Sequence, residues 1–388
     1  MLQPLLLLKQ TLEAAFDPGP LLLNGPHVKF TKLDQLISAR TREKKEVQVG
    51  FGIHFEGENF FKVIFSQNEN RELAVSSNEL RLENGHRVLV NGNPVDFSNY
   101  YNGIDANLEI YRKEEYKIGV MRKFVLGPTL DQRISKTTME FHEFNTKSIE
   151  NSIVNAIHVP GLRGVPSRTY PMAAVNGRFP GTFEPYIASI IASWKTKNLT
   201  AISQLASDLK EMELTSGVEA VRLDDSQIEI KVPRLLESNP GNNQDWVSIA
   251  DVGFGVSQTL PVAVALLAAS PGQLVYIEQP ELHLHPRAQH AMAGLLARAA
   301  KRGVRVVIET HSSILLLGIQ NLVARERLDP ELVKLHWFQR DSNTGSTRIS
   351  SADLDHSGAF GEWPEDFDDV SLQAQREYLD AVESHLAS

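Results

Sequence analysis

The sequence predicts an α/β protein in which a parallel core sheet is joined to an antiparallel, β-rich lobe and a helical insertion. Three observations carry the prediction. Two short, nearly all-apolar runs, "QLVYIE" and "VRVVIETHS", flank a helical pattern, "PRAQHAMAGLLARAAKRG". Continuous apolar strands on either side of a helix mark parallel strands covered on both faces. From about Val47 to Phe144 the texture is instead alternating, as in "VQVGFGIHF", "FKVIFS" and "RVLVNGNPVDF". With Asn-Gly and Asn-Pro turns between the runs, this is the pattern of antiparallel hairpins. Residues 184–214 then place Ile187, Ile190, Ile191 and Trp194, followed by Leu205 and Leu209, at helical spacing.

Composition bounds the rest. The chain has 388 residues, 42% hydrophobic and 22% charged, enough to bury a large core in two or three lobes. A net charge of −9 speaks against a protein that coats nucleic acid generally, while leaving room for a local basic groove. There is no cysteine, which excludes disulfides, thiolate metal sites and a thiol nucleophile. The opening "MLQPLLLLKQTLEAAF" has no basic flank, and Lys9 and Glu13 interrupt its apolar run, so it reads as a buried helix over residues 2–16 rather than a signal peptide. No segment approaches the ~20 apolar residues of a membrane span, and a soluble, cytoplasmic protein with no membrane partner is expected.

The chain continues through "NSIVNAIHVPGLRGVPSRTY", a strand entering a Gly/Pro/Arg loop, and "GVEAVRLDDSQIEIKVP", a hairpin. The polar "ESNPGNNQDW" marks a boundary. Beyond it "DVGFGVSQ" leads into the apolar helix "TLPVAVALLAAS", with Pro261 expected in its first turn, where no N–H is needed. Both apolar strands end in polar groups, one in Glu278 and the other in Glu309-Thr310-His311-Ser312. Ligands bind at the carboxyl ends of such strands.

An acid ending a buried strand costs several kcal/mol unless it is paired or holds a metal. A single Glu278 is best explained by a structural hydrogen bond; the convergence of polar groups at neighbouring strand ends favours a site. With a magnesium nucleotide as ligand, Glu278 would hold Mg²⁺ directly or through water, and Gln279 or Glu281 would address the attacking water. His311 would donate to a terminal phosphate. His283 and His285 share a strand face, yet Pro286 follows, no thiolate exists and HExxH spacing is absent, so a turn facing a partner is expected rather than a zinc site. Gly253, Gly255, Ser257 and Gln258 offer backbone N–H groups, a hydroxyl and a positive helix terminus to an anion, while Ser257 alone is equally an N-cap.

Taken in order, these pieces resemble the ATP-binding-cassette class of ATPases, and more closely bacterial AAA-type proteins related to the overcoming-lysogenization-defect and SMC ATPases. "DVGFGVSQTLPV" is similar to their signature motif, "LVYIEQPELHLHPRAQ" to Walker B and its following loop, and "VVIETHSSILLLGIQNLV" to the switch-histidine strand and helix. "HVPGLRGVPSRTY" resembles a Gly-Pro-Leu-Arg loop of that family, and "DHSGAFGEWPEDFDD" the Trp-Pro tail of one bacterial subgroup. The resemblance implies an ABC-type P-loop NTPase-like fold and a homodimer that sandwiches ATP and Mg²⁺. Its ATP-driven switch would serve an effector protein or DNA in DNA processing or antiphage defence. It implies that Gly255 and Ser257 reach the γ-phosphate held by the other subunit, that Glu278 is the Walker B acid and that His311 is the switch histidine. Gln279 then stands where the catalytic glutamate is found, with Glu281 as a candidate substitute.

No G-x-x-x-x-G-K-[ST] occurs in the 388 residues; on the family pattern it would come immediately before the first helix. A misassigned start, a truncated chain or true degeneration would each account for this, and without those N–H groups and that lysine feeble Mg-ATP binding by this chain is expected. A degenerate ATPase acting as an interaction subunit is therefore the alternative, and a metal-dependent nuclease using Glu278, Glu281, His283 and His285 a weaker one. The expected organisation is a post-P-loop helix in 1–46, a β-rich lobe in 47–183, and a helical and hairpin insertion in 184–245. The signature, Walker B and switch-histidine lobe follows in 246–340, and a tail in 341–388.

Overall fold

The structure is a computed structural model and describes residues 2–16, 18–36, 48–55, 59–67, 73–81, 87–91, 95–96, 117–122, 125–128, 149–234, 245–343, 345–361, 376–380 and 382–383. The polar boundary at 235–244 and the Trp363-Pro364 part of the tail lie outside the described residues. The chain divides into two units. The first takes in residues 1–158 and 176–183, the second 159–175 and 184–388.

In the first unit, helix α1 (Gln3–Glu13) has a proline in its first turn and buries Leu6, Leu7 and Leu8. It then buries Lys9, Gln10 and Thr11, and each of these polar groups is matched. Gln10 Oε1 accepts from the backbone N–H of His27 (3.2 Å) and Val28 (3.0 Å), and its Nε2 donates to Leu22 O (2.7 Å) and Val28 O (3.2 Å). A Cβ on Gly25 would lie 2.6 Å from Gln10 Cδ, so glycine is what lets the loop close on the amide. Thr11 Oγ1 donates to Leu7 O (2.7 Å) and accepts from Leu22 N (2.8 Å). One helical turn thus pins the following loop, as buried polar groups require.

Beside it lies a buried ionisable cluster. Lys9 pairs with Glu13 and donates to Val154 O at 2.8 Å. Glu13 Oε2 accepts from Gly181 N (3.0 Å) and meets His27 Nε2 at 3.3 Å, while His27 Nδ1 lies 2.9 Å from His158 Nδ1. Only one of two facing Nδ1 atoms carries the proton. With His27 donating from Nε2 to the carboxylate, the neutral arrangement has His158 donating to His27.

The antiparallel texture is found as a four-stranded sheet of β1 (Gln48–Phe55), β2 (Asn59–Gln67), β3 (Leu73–Arg81) and β4 (Arg87–Asn91), in that order. Val49 pairs with Phe65 and Phe51 with Val63, all four buried on one face, as period-two alternation demands. β5 (Val95–Asp96), β6 (Lys117–Arg122) and β7 (Val125–Pro128) form a second antiparallel sheet. The chain leaves this unit within β8 (Ile157–Val159).

The second unit opens with the loop 160–168 and β9 (Tyr170–Pro171), then α2 (Ile187–Lys197) and α3 (Leu199–Glu211). Asn198 caps α3 by accepting from Ala201 N at 3.2 Å. The hairpin β10 (Glu219–Arg222) and β11 (Gln227–Pro233) takes β9 and β12 (Trp246–Ser248) on the free edge of β11. Helix α4 (Phe254–Ala268) is buried without interruption from Val256 to Leu266. It begins at Phe254, so Pro261 lies mid-helix rather than in the first turn, and Ser257 lies inside the helix rather than at its cap. The cap is Gly253. Pro261 has no N–H, and the Ser257 carbonyl loses its usual partner four residues on.

β13 (Leu274–Glu278) and β14 (Arg305–Glu309) pair in parallel, with Glu278 opposite Glu309. Helix α5 (Pro286–Lys301) connects them and is stopped at Gly303, whose φ is +83°. β13 is buried as expected, whereas β14, an edge strand among the described ones, is only half-buried. α6 (Ser313–Ala324) packs on α5. A Cβ on Gly318 would stand 2.7 Å from Ala293 Cβ and 2.8 Å from His290 O, so that contact requires glycine. The hairpin β15 (Lys334–Arg340) and β16 (Thr347–Asp353) follows, and Leu354 packs beyond it with Ala297, Val323 and Leu328.

The buried cluster predicts acid sensitivity. Burial holds the His27 pKa below its ordinary value. Burial alone would raise Glu13, but the hydrogen bond from His27, the Lys9 charge and the Gly181 N–H together hold it below the ordinary carboxylate value. Both groups bind protons more readily when unfolded, so stability rises with pH. The His27 contribution is complete above pH 6.5 and the Glu13 contribution above pH 4.5; each is lost as pH falls through the depressed native value. Thermal unfolding followed by circular dichroism is expected to show a midpoint that declines from pH 6.5 downward. His27→Gln should flatten the upper part of that decline.

Candidate functional site

The candidate site lies wholly in the second unit, where the end of β13 meets the loop 160–168 and the start of α4. Tyr276 and Glu278 are two residues apart on β13 and share one face. The Tyr276 hydroxyl is buried and donates to Glu309 Oε2 at 2.8 Å. Desolvation, then the bond to Glu309, with Glu278 adding its charge and a further hydrogen bond, hold that phenol protonated far above its ordinary range. Glu278 Oε2 accepts from Gly161 N at 3.0 Å. A Cβ at Gly161 would fall 3.3 Å from Gln279 Oε1 and 3.4 Å from Glu278 Cβ, so the loop passes close against the acid.

Beyond Glu278 the backbone turns sharply. Gln279 has φ +44° and His283 φ +63°, left-handed values that cost non-glycine residues energy and persist only where surroundings enforce them. Gln279 N donates to Glu309 O at 2.6 Å. Its carbonyl accepts from Arg163 Nη2 at 2.9 Å, while Arg163 Nη1 reaches Glu278 O (3.2 Å) and Pro160 O (3.3 Å). Arg163 is 5% exposed; burial depresses its pKa, against the attraction of Glu184, Glu281 and Glu278.

Glu281 is 9% exposed. Its Oε1 accepts from His311 N at 2.9 Å, and its Oε2 is buried with no hydrogen-bond partner. An orphaned buried carboxylate oxygen calls for a water, a proton or a cation. Thus Glu278, Gln279, Glu281 and the His311 backbone come together, although the exposed His311 ring is not what joins the cluster.

The start of α4 is adjacent. Gly255 lies 3.6 Å, from its ideal Cβ position, from His283 O, and the Phe254 ring stands 5.6 Å from that of His283. A Cβ on Gly253 would meet open space. Ser257 and Gln258 do not present free polar groups. Ser257 Oγ donates to Phe254 O at 3.1 Å, and Gln258 Nε2 donates to Arg163 O (2.7 Å) and Gly164 O (3.0 Å). Arg168 forms a two-pronged pair with Asp251, at 2.9 and 2.6 Å. His285 is the N-cap of α5, its Nδ1 accepting from Arg287 N at 3.4 Å.

Arg163, Gly161 and Tyr276 were not singled out by sequence reasoning. The available signal was an arginine between glycines, "GLRGV", directly after a strand. Among the described residues no group of three or more His, Asp or Glu could hold a metal ion by itself. The donor set suits a cation that brings phosphate and water ligands of its own, as Mg²⁺ does, with Glu278 as the protein carboxylate. Among the described residues no helix is long and apolar enough to cross a membrane.

Residues 127–317 match a family model described as "AAA domain, putative AbiEii toxin, Type IV TA system", which spans β13, β14 and their connecting turns. Comparison with curated proteins gives no match. Among solved structures, the chain is similar to an SMC head bound to the C-winged helix domain of ScpA: 12% identity over 84% of this chain and 80% of that one, TM-score 0.37. It is likewise similar to the SMC head domain from Thermotoga maritima, with 12% identity over 77% and 76% of the two chains and TM-score 0.30.

Removing the Tyr276 hydroxyl takes away a buried donor to a carboxylate. Tyr276→Phe is expected to lower stability by about 1.5–3 kcal/mol, read from urea unfolding at neutral pH. A midpoint equal to that of the parent protein contradicts the geometry.

Proposed function

We propose that this protein is an ABC/SMC-like ATPase whose ATP-bound state is a conformational switch. The observation that carries the reading is the convergence of Glu278, Gln279 and Glu281 at one parallel strand end, next to a helix start and within a segment matched by a AAA domain model. In this reading ATP and Mg²⁺ bind between two copies of the chain, and the first turn of α4 faces the γ-phosphate of the nucleotide held by the other copy. Mg²⁺, when bound, neutralises phosphate charge, and Glu278 would hold it directly or through water.

The residues of this chain then divide the work. Glu281 Oε2 accepts the proton of the attacking water as its oxygen bonds to the γ-phosphorus and the bond to the β-phosphate oxygen breaks. Gln279 has no basic group, so its amide orients that water without deprotonating it. His311 donates from its ring to the γ-phosphate oxygens. A switch of this kind serves an effector protein or DNA in a cytoplasmic DNA-processing or antiphage system. A second reading, a nucleotide-poor interaction subunit, is favoured by one observation: an amide at 279 where a carboxylate would be the base.

The test uses the chain as it stands and the same chain extended upstream in frame through any G-x-x-x-x-G-K-[ST] that the gene encodes. Phosphate release and fluorescent-ATP binding are measured in both. Glu281→Gln is expected to lower kcat about 10²-fold or more, with ATP affinity within about threefold of the parent. Phosphate release unaffected by both Glu281→Gln and Glu278→Gln contradicts the hydrolytic reading. Absence of both ATP binding and phosphate release in the extended chain supports the second.

A further inference from the structure

We infer that the loop 160–168 is a brace that makes the start of α4 and the acidic end of β13 move as one body, with Arg163 as its positioning residue. Towards β13 the loop is fixed by Gly161 N on Glu278 Oε2 (3.0 Å), and by Arg163 on the carbonyls of Glu278 (3.2 Å) and Gln279 (2.9 Å). Towards α4 it is fixed by Gln258, which spends its amide on Arg163 O (2.7 Å) and Gly164 O (3.0 Å). Arg168 adds the pair with Asp251 just before α4.

What makes these contacts decisive is what the loop lacks. Leu162 and Val165, its two large apolar side chains, are 92% and 80% exposed. Apolar burial by these residues therefore does not hold the loop down, and its conformation rests on the polar contacts of Arg163 and Gln258. Those contacts in turn hold Gln279 in its left-handed conformation, from the carbonyl side by Arg163 and from the amide side by Glu309 O. A guanidinium can bond several carbonyls at fixed angles, whereas an ammonium at the same place is a point charge on a flexible stem. A displacement of the first turn of α4 is thus transmitted through Gln258 to the loop, and through Arg163 to the two residues that address metal and water. By linkage the reverse holds equally. The brace needs no nucleotide; its service as a relay between the γ-phosphate and Glu278 rests on the proposed function.

Backbone hydrogen exchange read by mass spectrometry, on the protein without nucleotide, tests it. Gln258→Leu keeps the side-chain volume and removes the two bonds to the loop. It is expected to speed exchange across 278–282 by about tenfold or more, with the β10–β11 hairpin unchanged as internal control. Unchanged exchange at 278–282 overturns the brace. If Gln258→Leu also loosens the hairpin, Arg163→Lys decides. Faster exchange at both 254–260 and 278–282, with the hairpin intact, supports the brace, and acceleration at one end only overturns it. Phosphate release unaffected by Glu281→Gln and Glu278→Gln defeats the proposed function and leaves this exchange pattern standing, so the two claims fail separately.

Discussion

A carboxylate at the end of a buried strand has to be answered by donors, and the second unit is arranged around answering Glu278. The Gly161 N–H supplies one hydrogen bond, and Arg163 sits beneath the same residue on its carbonyl. Both come from a loop that is distant in sequence. That requirement brings a glycine to a place where a Cβ would crowd the Gln279 amide at 3.3 Å. It also buries a guanidinium, and it gives Gln258 its partners on α4. The neighbouring acids are treated likewise: Glu309 receives the Tyr276 hydroxyl and Glu281 the His311 N–H. Glu281 Oε2, by contrast, is buried without a hydrogen-bond partner among the described residues.

The first unit meets a similar demand without a strand end. α1 carries Lys9, Gln10, Thr11 and Glu13 into the interior, and the loop at 22–28 and the Gly181 amide supply their complements. A buried pair such as Lys9 and Glu13 adds little net stability over an apolar core. The bonds of Gln10, Thr11 and Glu13 instead tie the following loop and the Gly181 amide to the helix.

Much of this was legible in the residues. The β13–α5–β14 unit follows from two apolar runs, a helical period and Gly303, and the hairpins from alternation and turn chemistry, because each of these signals is local. Pro261 and Ser257 were misjudged for a physical reason: α4 is buried on every face, so no amphipathic period marks where it starts, and Gly253 moves the start forward. The exposed flank of β14 was equally hidden, since apolar composition does not say which strand is at an edge. Arg163 and Gly161 were missed because their importance arises from partners more than 110 positions away. Likewise nothing local tells that residues 176–183 return to the first unit.

Glu278 and the start of α4 are, on the inference drawn from loop 160–168, energetically one device although the loop stands between them. A double-mutant cycle on unfolding free energy, combining Gln258→Leu with Glu278→Gln, measures this directly. The account predicts an interaction energy of about 0.5 kcal/mol or more, since both substitutions release the same loop. Effects that add to within about 0.3 kcal/mol would contradict it.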